Sequence, residues 1–196
     1  MRAFALAFAA AVVFAPGCFA DGVVDKLINA VDRDKLKLFD EVKKDAIAEA
    51  EAAGPSEDLA LLKKALDGAP MSMSGTFKPT GKWRCQMIKV GSRSEGLLPI
   101  ISYPPFKCRI REDGAGWFME KVSGSQRTSG YLYTDSDTRL IYLGAGSVND
   151  DPQRKYNQEA LYNEPAYVFR LGKNKLVFEF PAPEFESKFN VLVLER

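Results

Sequence analysis

The chain has 196 residues, 46% of them hydrophobic, which is enough to bury a core of its own. Its 27 basic side chains stand against 26 acidic ones, so no strong field points to nucleic acid or to an anionic membrane surface. Histidine is absent; that excludes Ser-His-Asp and Cys-His nucleophile systems, and leaves any enzyme to work with carboxylates, lysine or tyrosine.

The chain opens with Met1-Arg2 and an unbroken apolar run from Ala3 to Ala15. That is the length of a signal peptide and too short for a comfortable membrane span. Small residues at Cys18 and Ala20 predict cleavage after Ala20. The rival reading, lipidation of Cys18, fits poorly because Ala15 and Pro16 precede it where a lipobox prefers Leu. Cleavage after Ala20 leaves two cysteines, Cys85 and Cys108, in an oxidising compartment. The expectation is a periplasmic or secreted protein with no transmembrane segment after signal removal.

Residues 21–70 read as a helical segment. Leu36, Phe39, Val42, Ala46, Ile47 and Ala50 form one apolar stripe at helical period, interrupted by Lys43. Asp32 or Asp34 is a candidate cap for its start, and Gly54-Pro55 stops it. Ser56 is the next candidate N-cap, followed by a shorter stripe of Leu59, Leu62 and Leu66. This segment carries 12 acids against 8 bases, and residues 71–196 carry 14 against 18. The two parts therefore attract each other weakly through screened charge.

From Met71 to Arg196 the period changes to two. Eight strands are predicted: 82–90, 106–111, 116–122, 127–133, 139–144, 166–171, 175–180 and 188–195. Most connections are short, which implies antiparallel neighbours. The fold class is therefore α+β, with an N-terminal helical pair packed on an antiparallel, about eight-stranded up-and-down barrel or strongly curved sheet. Two long connections, 91–105 and 145–165, break the regularity and are where a ligand or partner would be met.

Alternation assigns faces. Trp83, Cys85, Met87 and Lys89 share one side of the first strand, and Phe106, Cys108 and Ile110 one side of the second. Both cysteines then fall on the inward side of consecutive strands, where a disulfide is geometrically reasonable. Arg84, Lys107, Arg109 and Arg111 fall together on the outside, as a docking patch for an acidic partner or as a solvated face. In the stretch 124–130, Arg127, Ser129, Tyr131 and Tyr133 share a face. If the tyrosines line the interior, Arg127 does too, and it needs carbonyls, a carboxylate or the anionic group of a ligand. Lys89, Gln126, Arg127, Thr128, Ser129 and Tyr131 are the candidate ligand-binding residues. Asp135 with Asp137, and Asn149 to Asp151, read as turns rather than as a calcium site. No metal or other cofactor is expected.

The segments Gly81-Lys82-Trp83-Arg84-Cys85, Phe106-Lys107-Cys108-Arg109-Ile110 and Gly124-Ser125-Gln126-Arg127-Thr128-Ser129-Gly130 resemble those of an exported bacterial family. So do Asp34-Lys35-Leu36, Ala46 to Gly54 and Glu186-Ser187-Lys188-Phe189-Asn190. That family is catalogued as domain of unknown function 4893; the resemblance implies export and the cysteine pair, and no activity. A departure is Trp83, where the family usually has Tyr. Gly81-x-Trp83 also resembles the opening motif of lipocalin-like barrels, in which Lys188 or Arg196 would cover the Trp face.

Three functions remain open. One is a non-catalytic binding module for a small amphiphilic or anionic ligand, with its site near Lys89, Gln126 and Arg127. Another is a protein-interaction, inhibitor-like domain that meets an envelope protein through the 91–105 loop and its Leu97-Leu98 tip. The third is a hydrolase-type enzyme without histidine. A convergence of unpaired polar groups on a pocket would mark the first, a filled barrel with an apolar loop tip the second, and a carboxylate or lysine of shifted pKa in a cleft the third.

Overall fold

A computed structural model describes residues 23–196. The expected signal peptide, the expected cleavage after Ala20 and the alternative role of Cys18 lie outside the described residues. Four helices come first: α1 (Val23–Leu27), α2 (Ala30–Lys37), α3 (Phe39–Ala53) and α4 (Ser56–Leu66). The stripe expected as one helix is thus split at Leu38. Neither Asp32 nor Asp34 caps its start. Asn29 does so, its side-chain oxygen accepting from the Asp32 amide at 2.8 Å. The Asp32 carboxylate is committed elsewhere: only 2% exposed, it accepts from Asn29 Nδ2, the Tyr156 hydroxyl and Asn163 Nδ2. This network ties α2 to the loop that precedes β7.

Nine strands follow: β1 (Gly81–Ser92), β2 (Ile100–Ser102), β3 (Phe106–Asp113), β4 (Gly116–Lys121), β5 (Gln126–Thr134), β6 (Arg139–Val148), β7 (Asn163–Gly172), β8 (Lys175–Pro181) and β9 (Ser187–Glu195). Each of β3 to β8 pairs with the next, always antiparallel. The first part of β1 pairs with β3 and its longer second part with β9, with Met87 opposite Leu192, so the sheet closes. The result is an eight-stranded barrel with β2 as an extra short strand, formed inside the long 91–105 connection.

The interior is filled. Trp83, Cys85, Met119, Tyr142, Phe178, Leu192 and their neighbours form one buried cluster, and Tyr142 makes edge contacts with Phe178 and Phe180. The expected disulfide joins Cys85 and Cys108 within this cluster, across a separation of 23 residues. Residues before β1 close one end: Met73 and Phe77 enter the core, Arg170 lies 4.3 Å from the Phe77 ring, and Trp83 Nε1 donates to the Pro79 carbonyl. Arg196 covers Trp83 at 4.3 Å, whereas Lys188 pairs with Glu49 at 2.6 Å.

A second apolar layer lies outside the barrel. Phe39, Ala46, Ala50, Leu62 and Ala65 pack on Ile88, Val90, Val177, Val191 and Val193, so the strands beneath the helices are apolar on both faces. Tyr167, Phe169 and Leu171 belong to this outer layer, while Ala166 and Val168 face the interior. Gly91, in the left-handed region at φ 69°, lets α3 come close; a Cβ there would lie 3.1 Å from the Cα of Ala46. Lys43, the charged interruption in the α3 stripe, pairs at 2.6 Å with Glu179, itself 2% exposed.

Two stability outcomes follow. Replacing both Cys85 and Cys108 by alanine lowers unfolding free energy by about 3 kcal/mol, read from urea denaturation, because the closed loop no longer restrains the unfolded chain. Lys43→Ala costs about 3 kcal/mol at pH 8 by leaving the Glu179 carboxylate buried without its partner. Burial already raises the pKa of Glu179. The unpaired carboxyl therefore takes a proton more readily when folded than when unfolded, and the cost shrinks as pH falls toward 5.

Candidate functional site

The barrel end opposite the Trp83 cover carries the long connections and is polar inside. At this end the inward positions are taken by Lys89, Lys121, Thr128 and Glu164 instead of apolar side chains. Lys89, 8% exposed, donates to Gln126 Oε1 at 2.8 Å and pairs with Glu186, which also accepts from Gln126 Nε2. Lys121, 5% exposed, donates to the carbonyls of Ser123 (3.0 Å) and Gln126 (2.5 Å) and lies 3.7 Å from the centre of the Phe106 ring. Gly124 permits this, since a Cβ there would sit 2.7 Å from the Phe106 ring and 2.8 Å from Lys121 Nζ. Among the described residues, the four non-glycine residues with left-handed backbones are Asn149, Asn157, Ala182 and Glu186, all in loops at this end. Asn adopts this region readily, so the strain lies at Ala182 and Glu186, where surrounding structure must hold it.

Glu164 lies opposite Gly144 on the inner side of β7 and has no cation within 4.0 Å among the described residues. Burial pushes its carboxyl up to about 7, against the opposing pull of the Thr128 hydroxyl and the charges of Lys89, Lys121 and Lys35. Burial lowers Lys121 to about 8; Glu164 opposes that shift, while Lys89 and Arg127 add to it. Lys89 is lowered for the same reason, its burial. The void beside Glu164, bounded also by Met87, Phe180 and Asn190, measures about 20 Å³, room for about one water. The Thr128 hydroxyl shares a hydrogen bond of 2.8 Å with Tyr142.

The expected ligand-binding residues divide between two faces. Lys89, Gln126 and Thr128 belong to the inner polar end. Arg127, Ser129 and Tyr131 lie on the outer face, so the inward placement drawn from the tyrosines is reversed. The interior beside β5 is occupied by Tyr142, and β5 answers it with Thr128, Gly130 and Leu132. Tyr131 instead packs edge-on against Phe118 and donates to Asp113. Arg127 Nη2 donates to the carbonyls of Asn149 and Asp151.

The two faces meet where β4 and β5 part. Their pairing ends at Glu120 opposite Ser129, and beyond it a cleft of about 270 Å³ opens between the strand ends and the 149–162 loop. Lys121 and Thr128 reach it from inside; Arg127, Ser129, Ser147 and Gln153 line it from outside. Arg127 Nε and Ser129 Oγ are buried there with no hydrogen-bond partner. Sequence reasoning missed Lys121 and Glu164. Alternation with Trp117 and Met119 carries the signal for Lys121, and alternation with Ala166 and Val168 that for Glu164, which falls within the long 145–165 connection expected from the sequence.

The outer basic residues are largely answered by carboxylates. Arg84 pairs with Glu195, Arg109 with Glu120 and Arg111 with Asp113, while Lys107 has no carboxylate within 4.0 Å among the described residues. At the tip of the 91–105 loop Leu97 is 43% and Leu98 58% exposed. Among the described residues no group of three or more His, Cys, Asp or Glu is gathered to hold a metal, and no helix is long and apolar enough to cross a membrane.

The raised carboxyl makes stability pH-dependent. Glu164 binds its proton more tightly folded than unfolded, so its contribution declines as pH rises from the unfolded value near 4.5 through about 7. Glu164→Gln is expected to raise stability at pH 8 by about 1–2 kcal/mol, allowing for solvent screening, and to leave it nearly unchanged at pH 4.5. Thermal unfolding of both proteins across that range reads the difference.

A family model described as Domain of unknown function (DUF4893) matches residues 25–194, and the chain belongs to that family. No curated protein and no solved structure matches the chain.

Proposed function

We propose that this family member is an exported, non-catalytic binding module for a small hydrophilic ligand, held in the cleft between β4, β5 and the 149–162 loop. The observation that carries the reading is the cleft itself, about 270 Å³ where two barrel strands separate, lined from both faces by Lys121, Arg127, Thr128, Ser129 and Ser147. The filled interior leaves no room for the apolar tail of an amphiphile, so the ligand is polar. Export agrees with the Cys85–Cys108 disulfide, which persists in oxidising compartments.

Binding is favoured over catalysis by the separation of the two shifted groups. Glu164 borders a void of about 20 Å³, whereas Lys121 reaches the larger cleft; a substrate would not meet both as an acid–base pair. The Lys121 ammonium is also engaged by two carbonyls and the Phe106 ring.

A specific observation favours a second reading. The barrel is filled and Leu97 and Leu98 are exposed at a loop tip, which suits docking to an envelope protein.

Native and denaturing mass spectra of the protein purified from its own host test the first reading. A mass retained natively, lost on denaturation and missing from Gln153→Trp, which fills the cleft mouth, is the expected result. Apo protein alone, together with a partner captured by the wild type but not by Leu97→Ser/Leu98→Ser, would replace it with the second.

A further inference from the structure

We propose that the cleft is an oxyanion site, and that the ligand presents a phosphate-type group to Arg127, Ser129 and Lys121. The inference rests on the binding reading above and names the chemistry of that ligand.

Arg127 and Lys121 line the same cleft, close enough for Arg127 to help lower the lysine's pKa, and neither has a carboxylate within 4.0 Å among the described residues. Glu164 partly offsets the charge of Lys121 from inside the barrel, but on the cleft side the two cations repel each other, and a dianion between them removes that cost. The acidic residue in the cleft wall, Glu120, is already taken by Arg109, at 2.7 Å from its Nε and 2.6 Å from its Nη2.

The donors are unfilled as well. Arg127 spends Nη2 on the carbonyls of Asn149 and Asp151, which fixes the plane of the guanidinium, while Nε stays buried without a partner. Ser129 is 2% exposed and its hydroxyl is likewise unsatisfied. A buried polar group without a partner is rare in folded proteins, and Arg127 Nε and Ser129 Oγ, both on residues that line this cleft, mark a place for an acceptor with several oxygens. Lys121, held by two carbonyls and the Phe106 ring, contributes its positive charge to the cleft. The cleft of about 270 Å³ admits a phosphate group with a small organic substituent. The left-handed Asn149 shapes the loop whose carbonyl holds Arg127.

The test is titration of the 15N-labelled protein with inorganic phosphate at constant ionic strength, with sodium acetate in parallel, observed in 1H–15N spectra that include the arginine Nε–Hε signals. The expected result is a saturable shift of the Arg127 Nε–Hε signal and the Ser129 amide, weaker with acetate. Ser129→Ala, which removes a hydroxyl that bonds nothing, keeps the native spectrum and weakens phosphate binding about tenfold, the loss of one hydrogen bond to a charged group. Arg127→Gln abolishes the shift. Equal response to acetate would overturn the phosphate class. Shifts confined to Lys89, Gln126 and Glu186, or none with either anion, would overturn the oxyanion site. In those cases a mass retained in the native spectrum would still uphold the binding reading, and its absence would remove both.

Discussion

Closure of the sheet through β1 and β9 is the constraint from which the other features follow. One strand, Gly81–Ser92, meets β3 with its first residues and β9 with the rest, and carries β2 on the side that β3 has left. Closure removes the exposed sheet edges that would otherwise invite pairing with other chains. It also sets an inside and an outside for every alternating strand. The disulfide joins β1 to β3 at the inner face, so the covalent bond and the hydrogen-bond ladder hold the same junction.

A barrel of eight strands encloses a space that side chains can fill, and here they do so with Trp83, Met119, Tyr142, Phe178 and Leu192. The helices on the outside make a second core with the other faces of β1, β8 and β9. Polar chemistry is therefore pushed to one end. There the inner positions pass to Lys89, Lys121, Thr128 and Glu164, and the strands stop pairing before their side chains stop being useful. The opposite end is sealed by Phe77, Arg170 and Arg196, which leaves the polar groups at the other end.

That end is organised by groups in tension. Lys89, paired with Glu186, shares a low-dielectric space with Lys121 and with Glu164, whose carboxyl is raised to about 7 and pairs directly with neither lysine; Arg127 stands just outside, without a carboxylate partner. Glycine at 124 and left-handed residues at 149 and 186 keep the loops where these charges need them. Leaving Lys121, Glu164 and Arg127 without direct ion pairs costs stability, and Lys121 and Arg127 give the cleft its positive charge.

Alternation in the sequence by itself determined the α+β class, the antiparallel order, the inward cysteines and the outward Lys107, Arg109 and Arg111, because those patterns are local and strong. The helical stripe is equally legible, though its cap is Asn29 rather than Asp32 or Asp34, and Asp32 serves a buried network. What only the tertiary structure decided was which face of β5 turns inward, and with it the positions of Arg127 and Ser129. Period two separates two faces without saying which one meets the core; the bulk of Tyr142 from the neighbouring strand settled that, taking Thr128 and Gly130 inside and turning Tyr131 out. Glu164 and Lys121 gained their meaning in the same way, from closure, which brings β4, β5 and β7 residues far apart in the chain to one end of one barrel.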